Sequence, residues 1–206
     1  MAEVKLSREE ELVAFFVHQC GEGDLGRTRL MKLLYLADYE ARRYLGRPIS
    51  KSKYIWHFYG PYEPGLTRWV NRLRDNQVVI EQPVVYPNGK RGFLYSRGPA
   101  QAKPTFTPAE TAILAYVCRK YMQVPLRELL DDVVYQTEPM IHAQKTRARG
   151  RPLQMSRVNK AKAGELTISL EQLIERRAQV EAGEVLTHAE AMARLKGQQQ
   201  PANAAA

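Results

Sequence analysis

The chain of 206 residues has no apolar run near the roughly 20 residues that a transmembrane helix needs. Its amino-terminal segment is rich in glutamate, whereas a secretory signal peptide begins with basic residues. Only two cysteines are present, Cys20 and Cys118, and each lies in an apolar pattern of helical spacing. We therefore predict a cytoplasmic protein that does not associate with membranes, in which both cysteines are small core residues outside any disulfide framework.

The common signatures of catalysis and metal binding are also missing. None of the four histidines has a Cys, His or Glu at the spacing of a metal site. The sequence has no glycine-rich phosphate loop, no dinucleotide-binding turn and no nucleophile elbow. The adjacent acids Asp131 and Asp132 are more typical of a solvated helix face than of an acid/base pair. We expect a binding protein that is not an enzyme, with no cofactor and no metal.

The sequence has the composition and the helix-start signals of a helical globular protein. It is 44% hydrophobic and 26% charged, which is ordinary for a folded soluble chain. Ser7 with Glu10, Thr107 with Glu110, and Ser169 with Gln172 are capping-box pairs, and each predicts the start of a helix. Apolar residues at i, i+3, i+4 and i+7 predict further helices over residues 30–45 and 66–74.

Four short stretches have strand character. Tyr54 to Tyr59 reads as an extended segment that ends in a turn at Gly60-Pro61. Residues 78–80, 84–86 and 92–95 read as short strands with an Asn88-Gly89 hairpin turn before the last of them, and a hairpin after a helix indicates a winged-helix-like layout.

The predicted fold class is mainly α, of the α+β kind. We expect a helical domain with a small β-hairpin over residues 1–140, then a basic linker over 141–167. A helix-strand-helix segment with two amphipathic carboxy-terminal helices follows over residues 168–196. We predict that residues 197–206 form a disordered tail.

Positive charge is concentrated in one segment. Between Ile141 and Gly164 there is no acidic residue, and the cations are Lys145, Arg147, Arg149, Arg151, Arg157, Lys160 and Lys162. Such a segment is either a solvated linker or a contact for a polyanion. If nucleic acid is bound, the candidate contacts are Arg68, Arg72, Arg147, Arg149 and Arg151.

The two carboxy-terminal helices have narrow apolar stripes, formed by Leu170, Leu173, Ile174 and Val180 in the first and by Ala191, Met192 and Leu195 in the second. Helices this short gain stability mainly by packing on another surface. That surface is either the core of the chain itself or the groove of a partner protein.

Four sequence motifs occur in order: Lys32-Leu33-Leu34-Tyr35-Leu36-Ala37-Asp38, Gly46-Arg47-Pro48-Ile49-Ser50, Phe58-Tyr59-Gly60-Pro61-Tyr62 and Tyr135-Gln136-Thr137-Glu138-Pro139-Met140. Together they resemble the Panacea domain of the SocA-like antitoxin family, over about Leu30 to Met140. The resemblance implies a mainly helical fold found in bacterial and phage antitoxins. Its motif residues in this chain are Lys32, Tyr35, Gly60, Pro61, Thr137 and Pro139.

A second resemblance covers residues 182–195, which are similar to the carboxy-terminal segment of ParD, Phd and RelB-type antitoxins. In those families the segment wraps around the toxin, which implies a protein toxin of ParE/RelE-like type as the partner. The implied toxin-binding residues are Leu170, Leu173, Ile174, Val180, Val185, Leu186, Met192 and Leu195.

Two functional hypotheses follow. The first is an antitoxin of a type II toxin-antitoxin system that neutralises a protein toxin by direct binding. The alternative is a winged-helix-like transcriptional regulator or autoregulator that binds operator DNA. The end Asn203-Ala204-Ala205-Ala206 resembles the small apolar termini that bacterial unfoldase proteases accept, so a protease is a further expected partner, although an alanine-rich frayed end is the ordinary alternative.

Overall fold

The computed structural model describes residues 5–20, 25–162 and 164–183. Its α-helices are α1 (Arg8–Cys20), α2 (Arg27–Leu45), α3 (Leu66–Asp75), α4 (Pro108–Tyr121), α5 (Leu126–Glu128), α6 (Glu138–Lys145) and α7 (Leu170–Glu181). Its strands form two antiparallel pairs, β1 (Ile55–His57) with β2 (Gly60–Tyr62), and β3 (Val79–Val85) with β4 (Arg91–Arg97). A π-helical turn over Leu129–Val133 and a 3₁₀ turn over Val134–Gln136 continue α5 towards α6. The predicted mainly α fold class with α+β character is confirmed.

Reciprocal capping pairs start three of the helices. Before α1, the Ser7 hydroxyl accepts from the Glu10 N–H while the Glu10 carboxylate accepts from the Ser7 N–H. Thr107 with Glu110 begins α4 in the same way, and Ser169 with Gln172 begins α7. Each box satisfies two backbone donors that the first helical turn leaves without partners, which confirms these three predicted helix starts.

The core is built around α2. Its apolar side chains are buried, and α1, α4, β2 and β4 all pack against it. The same helix buries the polar residues Lys32, Asp38 and Glu40, which is unusual for charged side chains. No helix within the described ranges, α2 included, is long and apolar enough to cross a bilayer.

The β3–β4 hairpin follows α3 and is continuous over seven residue pairs, from Val79 opposite Arg97 to Val85 opposite Arg91. Gly89 in its loop has a φ of +76°, the conformation for which glycine is suited. β4 is covered on its other side by Leu25, whose carbonyl accepts from the Tyr95 N–H, so β3 is the free edge. Pro83 is tolerated within β3 because an edge strand does not need every N–H.

Cys20 and Cys118 are joined by a disulfide that links α1 to α4, with their Cα atoms 6.8 Å apart. The prediction that they are separate core residues is therefore wrong. Both do lie in helices of the core, but a separation of 98 positions along the chain gives no indication that they face each other.

The basic segment packs against the core instead of forming a free tether. Leu153 and Val158 are buried, and the Ala161 N–H donates to the carbonyl of Arg43 in α2. These apolar residues are isolated within a run of cations, so they form no periodic pattern that could be read from the sequence. The positive charge is consequently held at fixed places on the fold.

Helix α7 lies on α4. Leu173 is fully buried in the core, and the Ile168 carbonyl just before the helix accepts from the Tyr44 hydroxyl at 3.0 Å. Of the two surfaces left open by the sequence, the structure places this helix on the chain's own core.

Gly98 provides a test of how tightly the hairpin is joined to α3. A Cβ at this position would lie 2.0 Å from the carbonyl oxygen of Gln77, which is itself held by the Ala100 N–H. We expect Gly98→Ala to lower the free energy of unfolding by about 2–3 kcal/mol, measured by urea denaturation. Gly89→Ala is the control: it faces open space and should cost only about 1 kcal/mol for its positive φ. Equal losses would contradict the packing described here.

Candidate protein-interaction site

Three distant segments meet around the buried amine of Lys32. Its Nζ donates to the carbonyl oxygen of Pro61 at 2.7 Å. The Thr137 hydroxyl donates to the Val134 carbonyl at 2.7 Å, so the Tyr35 hydroxyl, also 2.7 Å away, must donate to Thr137. Residues from the first, third and fourth motifs are thus brought together between α2, β2 and the start of α6.

Lys32 has an unusual electrostatic environment. Its side chain is 2% exposed, and within the described ranges it forms no ion pair and has only the Pro61 carbonyl as acceptor. Burial lowers the pKa of Lys32 to about 7, because the charged amine loses its hydration. Burial also raises the pKa of Tyr35 above its ordinary value, so the phenol stays neutral.

Asp38 fixes the loop that leads into β1. Its carboxylate accepts from the N–H groups of Ile49 and Ser50, from the Ser50 hydroxyl and from the Tyr54 hydroxyl. The group is fully buried, and burial raises the pKa of Asp38 in spite of these hydrogen bonds. One side chain of α2 therefore determines where the chain enters the β1–β2 hairpin.

The turn of the β1–β2 hairpin consists of Phe58 and Tyr59, with His57 opposite Gly60. The sequence interpretation placed the turn at Gly60-Pro61, and this is wrong because those residues begin β2. Gly60 has a φ of +82°, which lets the chain reverse before it. A Cβ there would lie 3.4 Å from Val134, so the α5–α6 connection supports the hairpin from behind.

Phe58 and Tyr59 are the most conspicuous exposed residues of this region, and we refer to them as the aromatic tip. Phe58 is 65% exposed and Tyr59 57%. Turn positions normally carry small or polar residues, so two adjacent aromatic side chains on a turn are unexpected. Both belong to the third sequence motif, but they are not among the site residues predicted from the sequence. Their exposure depends on the turn position, which the local pattern did not reveal.

Residues 147–151, which we call the arginine turn, lie beside the aromatic tip. The Trp56 N–H donates to the Arg151 carbonyl, the Gly150 N–H donates to the Trp56 carbonyl, and the Leu153 N–H donates to the Tyr54 carbonyl. The chain after α6 therefore pairs alongside β1. This pairing places the Arg149 guanidinium 4.5 Å from the centre of the Phe58 ring.

The arginine turn is not neutralised by the rest of the protein. Within the described ranges, none of Arg147, Arg149 and Arg151 forms an ion pair, whereas Arg8, Arg43, Arg47, Arg72 and Arg74 each pair with a carboxylate. Two of these free arginines, Arg147 and Arg151, line an open cleft of about 430 Å³ together with His142, Thr146 and Gln154. Among the residues that the structure describes, none that lines the cleft is acidic.

The remaining predicted nucleic-acid contacts lie elsewhere. Arg68 and Arg72 are on α3, which packs against α1 and β3. Arg72 is 3.4 Å from the Glu10 carboxylate and also donates to the Lys5 carbonyl, while Arg68 is exposed. In the described part of the chain, no contact joins these arginines to the arginine turn, so the five predicted positions belong to two separate elements.

The predicted toxin-binding residues divide into two groups. Leu173 is 0% exposed and so has no surface to offer a partner, because α4 already covers it. Leu170, Ile174 and Val180 are half-buried on the same helix. Val185, Leu186, Met192 and Leu195 lie outside the described residues.

The buried amine of Lys32 gives a pH-dependent stability. In the unfolded chain a lysine keeps its proton to about pH 10.4, whereas in the fold Lys32 loses it near pH 7. The folded state thus binds fewer protons over this interval, and stability rises with pH. Between pH 7 and 9, unfolding free energies from urea curves should rise by about 2 kcal/mol more for the wild type than for Lys32→Met. Parallel pH profiles would show that Lys32 is not desolvated.

Arg147 and Gln77 occupy equivalent positions after α6 and α3, with φ values of 51° and 57°. In both turns the next residue donates back to a carbonyl of the helix, Ala148 to Ala143 and Val78 to Leu73. Glycine is the usual residue here, since a side chain costs about 1 kcal/mol in this conformation. We expect Arg147→Gly and Gln77→Gly each to raise the unfolding free energy by about 0.5–1 kcal/mol in urea denaturation. A lower unfolding free energy in either variant would contradict the left-handed backbone conformation at that position.

A family model described as Antitoxin SocA-like, Panacea domain, matches residues 30–138. No curated protein and no solved structure matches the chain significantly. The matched range begins in α2 and ends at the start of α6, so it contains Lys32, Asp38, the aromatic tip and Thr137. The resemblance of residues 182–195 to ParD, Phd and RelB-type segments stays a prediction. The chain belongs to the SocA-like Panacea-domain antitoxin family.

Proposed function

We propose that this chain is the antitoxin of a type II toxin-antitoxin system, and that it neutralises a protein toxin by direct binding without catalysing a reaction. The family match over more than half of the chain carries this proposal. Exposed aromatic side chains beside free arginines support it, because aromatic residues and arginine are enriched where proteins bind one another.

The carboxy-terminal region supplies a second possible contact with the toxin. Leu173 is buried where α7 packs on α4, so the last described helix is attached to the domain. We propose that Leu170, Ile174 and Val180 reinforce this attachment, and that Val185, Leu186, Met192 and Leu195 provide the apolar toxin contacts implied by the ParD-like resemblance.

Binding of operator DNA is the alternative function. Arg68, Arg147, Arg149 and Arg151, which form no ion pair with any residue that the structure describes, favour it, and the β3–β4 hairpin after α3 gives the order of elements in a winged helix. The neutralisation of Arg72 by Glu10 and of Arg74 by Glu81 reduces the charge of the helix that would lie nearest the wing. We therefore rank this function second.

Co-expression tests the proposed function. Each protein encoded beside this gene would be expressed alone and together with the full chain, and growth and co-purification would be measured. We expect one neighbour to arrest growth alone, to be rescued by the full chain and to co-purify with it. If no neighbour is toxic, or if rescue occurs without co-purification, direct toxin binding is wrong.

Calorimetry with the toxin identified in this way separates the contribution of the tail from that of the domain. Met192→Ala with Leu195→Ala removes two apolar contacts, each worth about 1–3 kcal/mol, and should weaken toxin binding at least about tenfold in calorimetry. Arg194→Ala in the same segment is the control and should change the binding free energy by less than about 1 kcal/mol. An unchanged affinity in the double variant would place the neutralising surface entirely in the domain.

A further inference from the structure

We infer that the aromatic tip and the arginine turn form one docking surface for the toxin, and that the toxin meets it with an acidic patch around an apolar pocket. This inference rests on the proposed function and specifies the surface and the chemistry of the partner. It is independent of the tail, because Phe58, Tyr59 and residues 147–151 all lie in the folded domain.

The two aromatic side chains of the tip occupy a projecting, exposed position. Phe58 and Tyr59 are adjacent on a two-residue turn and expose more than half of their surface to water. Burying an aromatic side chain removes on the order of 150–250 Å² from water, so the pair offers a large apolar contact at one projecting point. Residues of this kind, when inserted in a partner's pocket, dominate the affinity of many protein interfaces.

The aromatic tip is supported by the fold on two sides. Lys32 fixes β2 through the Pro61 carbonyl, and Val134 lies directly behind Gly60. On the other side, the Trp56 backbone exchanges two hydrogen bonds with residues 150 and 151, at 2.7 and 3.1 Å. A projection supported from both sides loses little conformational entropy on binding, and such preorganisation raises affinity.

The arginine turn places positive charge next to the aromatic tip. The arginine turn is exposed, forms no ion pair in the described part of the chain, and comes from a segment without acidic residues. Arg147 and Arg151 face an open cleft that His142 and Thr146 also line. Carboxylates complement guanidinium groups in two parallel hydrogen bonds, so aspartate and glutamate side chains of the partner fit this cleft.

The backbone at Arg147 strengthens the assignment. This arginine is kept at a φ of 51°, where glycine would be more stable. Its side chain is exposed and forms no ion pair with any described residue, so it does not stabilise the fold through its charge. Unfavourable backbone conformations also occur at functional sites, and the positive charge beside the cleft distinguishes Arg147 from Gln77, which has the same conformation.

A protein fits this surface better than nucleic acid does. The Arg149 guanidinium already occupies one face of the Phe58 ring, which leaves a base only the other face for stacking. The arginines of the turn are also separate from those of α3, two of which are paired with glutamates. A duplex would need cations spread along one continuous face.

Variants of the full chain test the inference against the toxic neighbour found by co-expression. Phe58→Ser with Tyr59→Ser should weaken toxin binding at least 30-fold, and Arg149→Glu with Arg151→Glu at least about tenfold, in calorimetry. Matched controls on the other hairpin are Val85→Ser with Tyr86→Ser, where Val85 is 70% exposed, and Arg91→Glu. These controls should bind the toxin as the wild type does.

The Arg147→Gly variant separates a loss of binding from a loss of folding, because this change is expected to stabilise the fold. It should bind the toxin several-fold more weakly while unfolding at higher urea concentration, whereas Gln77→Gly should gain stability and keep full affinity. A complementary selection would use a library of toxin variants in which single Asp or Glu residues are changed to Lys. Some of these toxin variants should be neutralised by the antitoxin variant that carries Arg149→Glu and Arg151→Glu.

The outcomes distinguish the inference from the proposed function. Neutralisation by the tip and arginine variants at wild-type strength would overturn the docking surface and leave the antitoxin role intact. Absence of any toxic neighbour would overturn both. Nucleic-acid binding would be measured by fluorescence anisotropy with a labelled 25-base-pair duplex and a labelled 25-nucleotide single strand, at low and high salt. If the wild type binds either probe in a salt-sensitive way, and the same variants lose this binding but still neutralise the toxin, then the surface binds nucleic acid and the inferred toxin contact is wrong.

Discussion

Asp38 is a fully buried carboxylate in the middle of α2, and it accepts four hydrogen bonds from residues 49–54. A carboxylate is removed from water only at a large cost in free energy, so it must take its partners from the protein. Those partners are the backbone and side chains of the loop between α2 and β1. The hydrogen bonds to the Asp38 carboxylate therefore fix the path of the chain into the β1–β2 hairpin. They also fix the position of the aromatic tip on that hairpin.

The other polar residues of α2 and its surroundings extend the same constraint. Lys32 holds the second strand through Pro61, Tyr35 holds the start of α6 through Thr137, and α6 ends in the arginine turn that pairs back onto β1. The family motif residues are thus mostly internal supports. The groups that can touch a partner, Phe58, Tyr59 and the arginines, are arranged around these supports.

Sequence reasoning succeeded where the signal is local. Capping boxes at Ser7, Thr107 and Ser169 and the Asn88-Gly89 turn all depend on residues within three or four positions of each other. It failed where the structure depends on contacts between residues that are far apart in the sequence. The Cys20–Cys118 pairing, the packing of Leu153 and Val158, and the placement of the turn at Phe58 and Tyr59 each depend on contacts across the fold. For the same reason the local pattern does not reveal that Phe58 and Tyr59 are exposed on a turn, or that Leu173 is buried where α7 packs on α4.

The proposed docking surface consists of the aromatic tip and the arginine turn, both held in place by the buried polar groups of α2. Amide hydrogen exchange of the full chain, alone and bound to its toxin, tests this surface because every backbone segment is followed at once. Toxin binding should slow exchange in residues 55–62 and 147–153. Slowed exchange confined to residues 170–206, with the hairpin unchanged, would contradict the proposed surface.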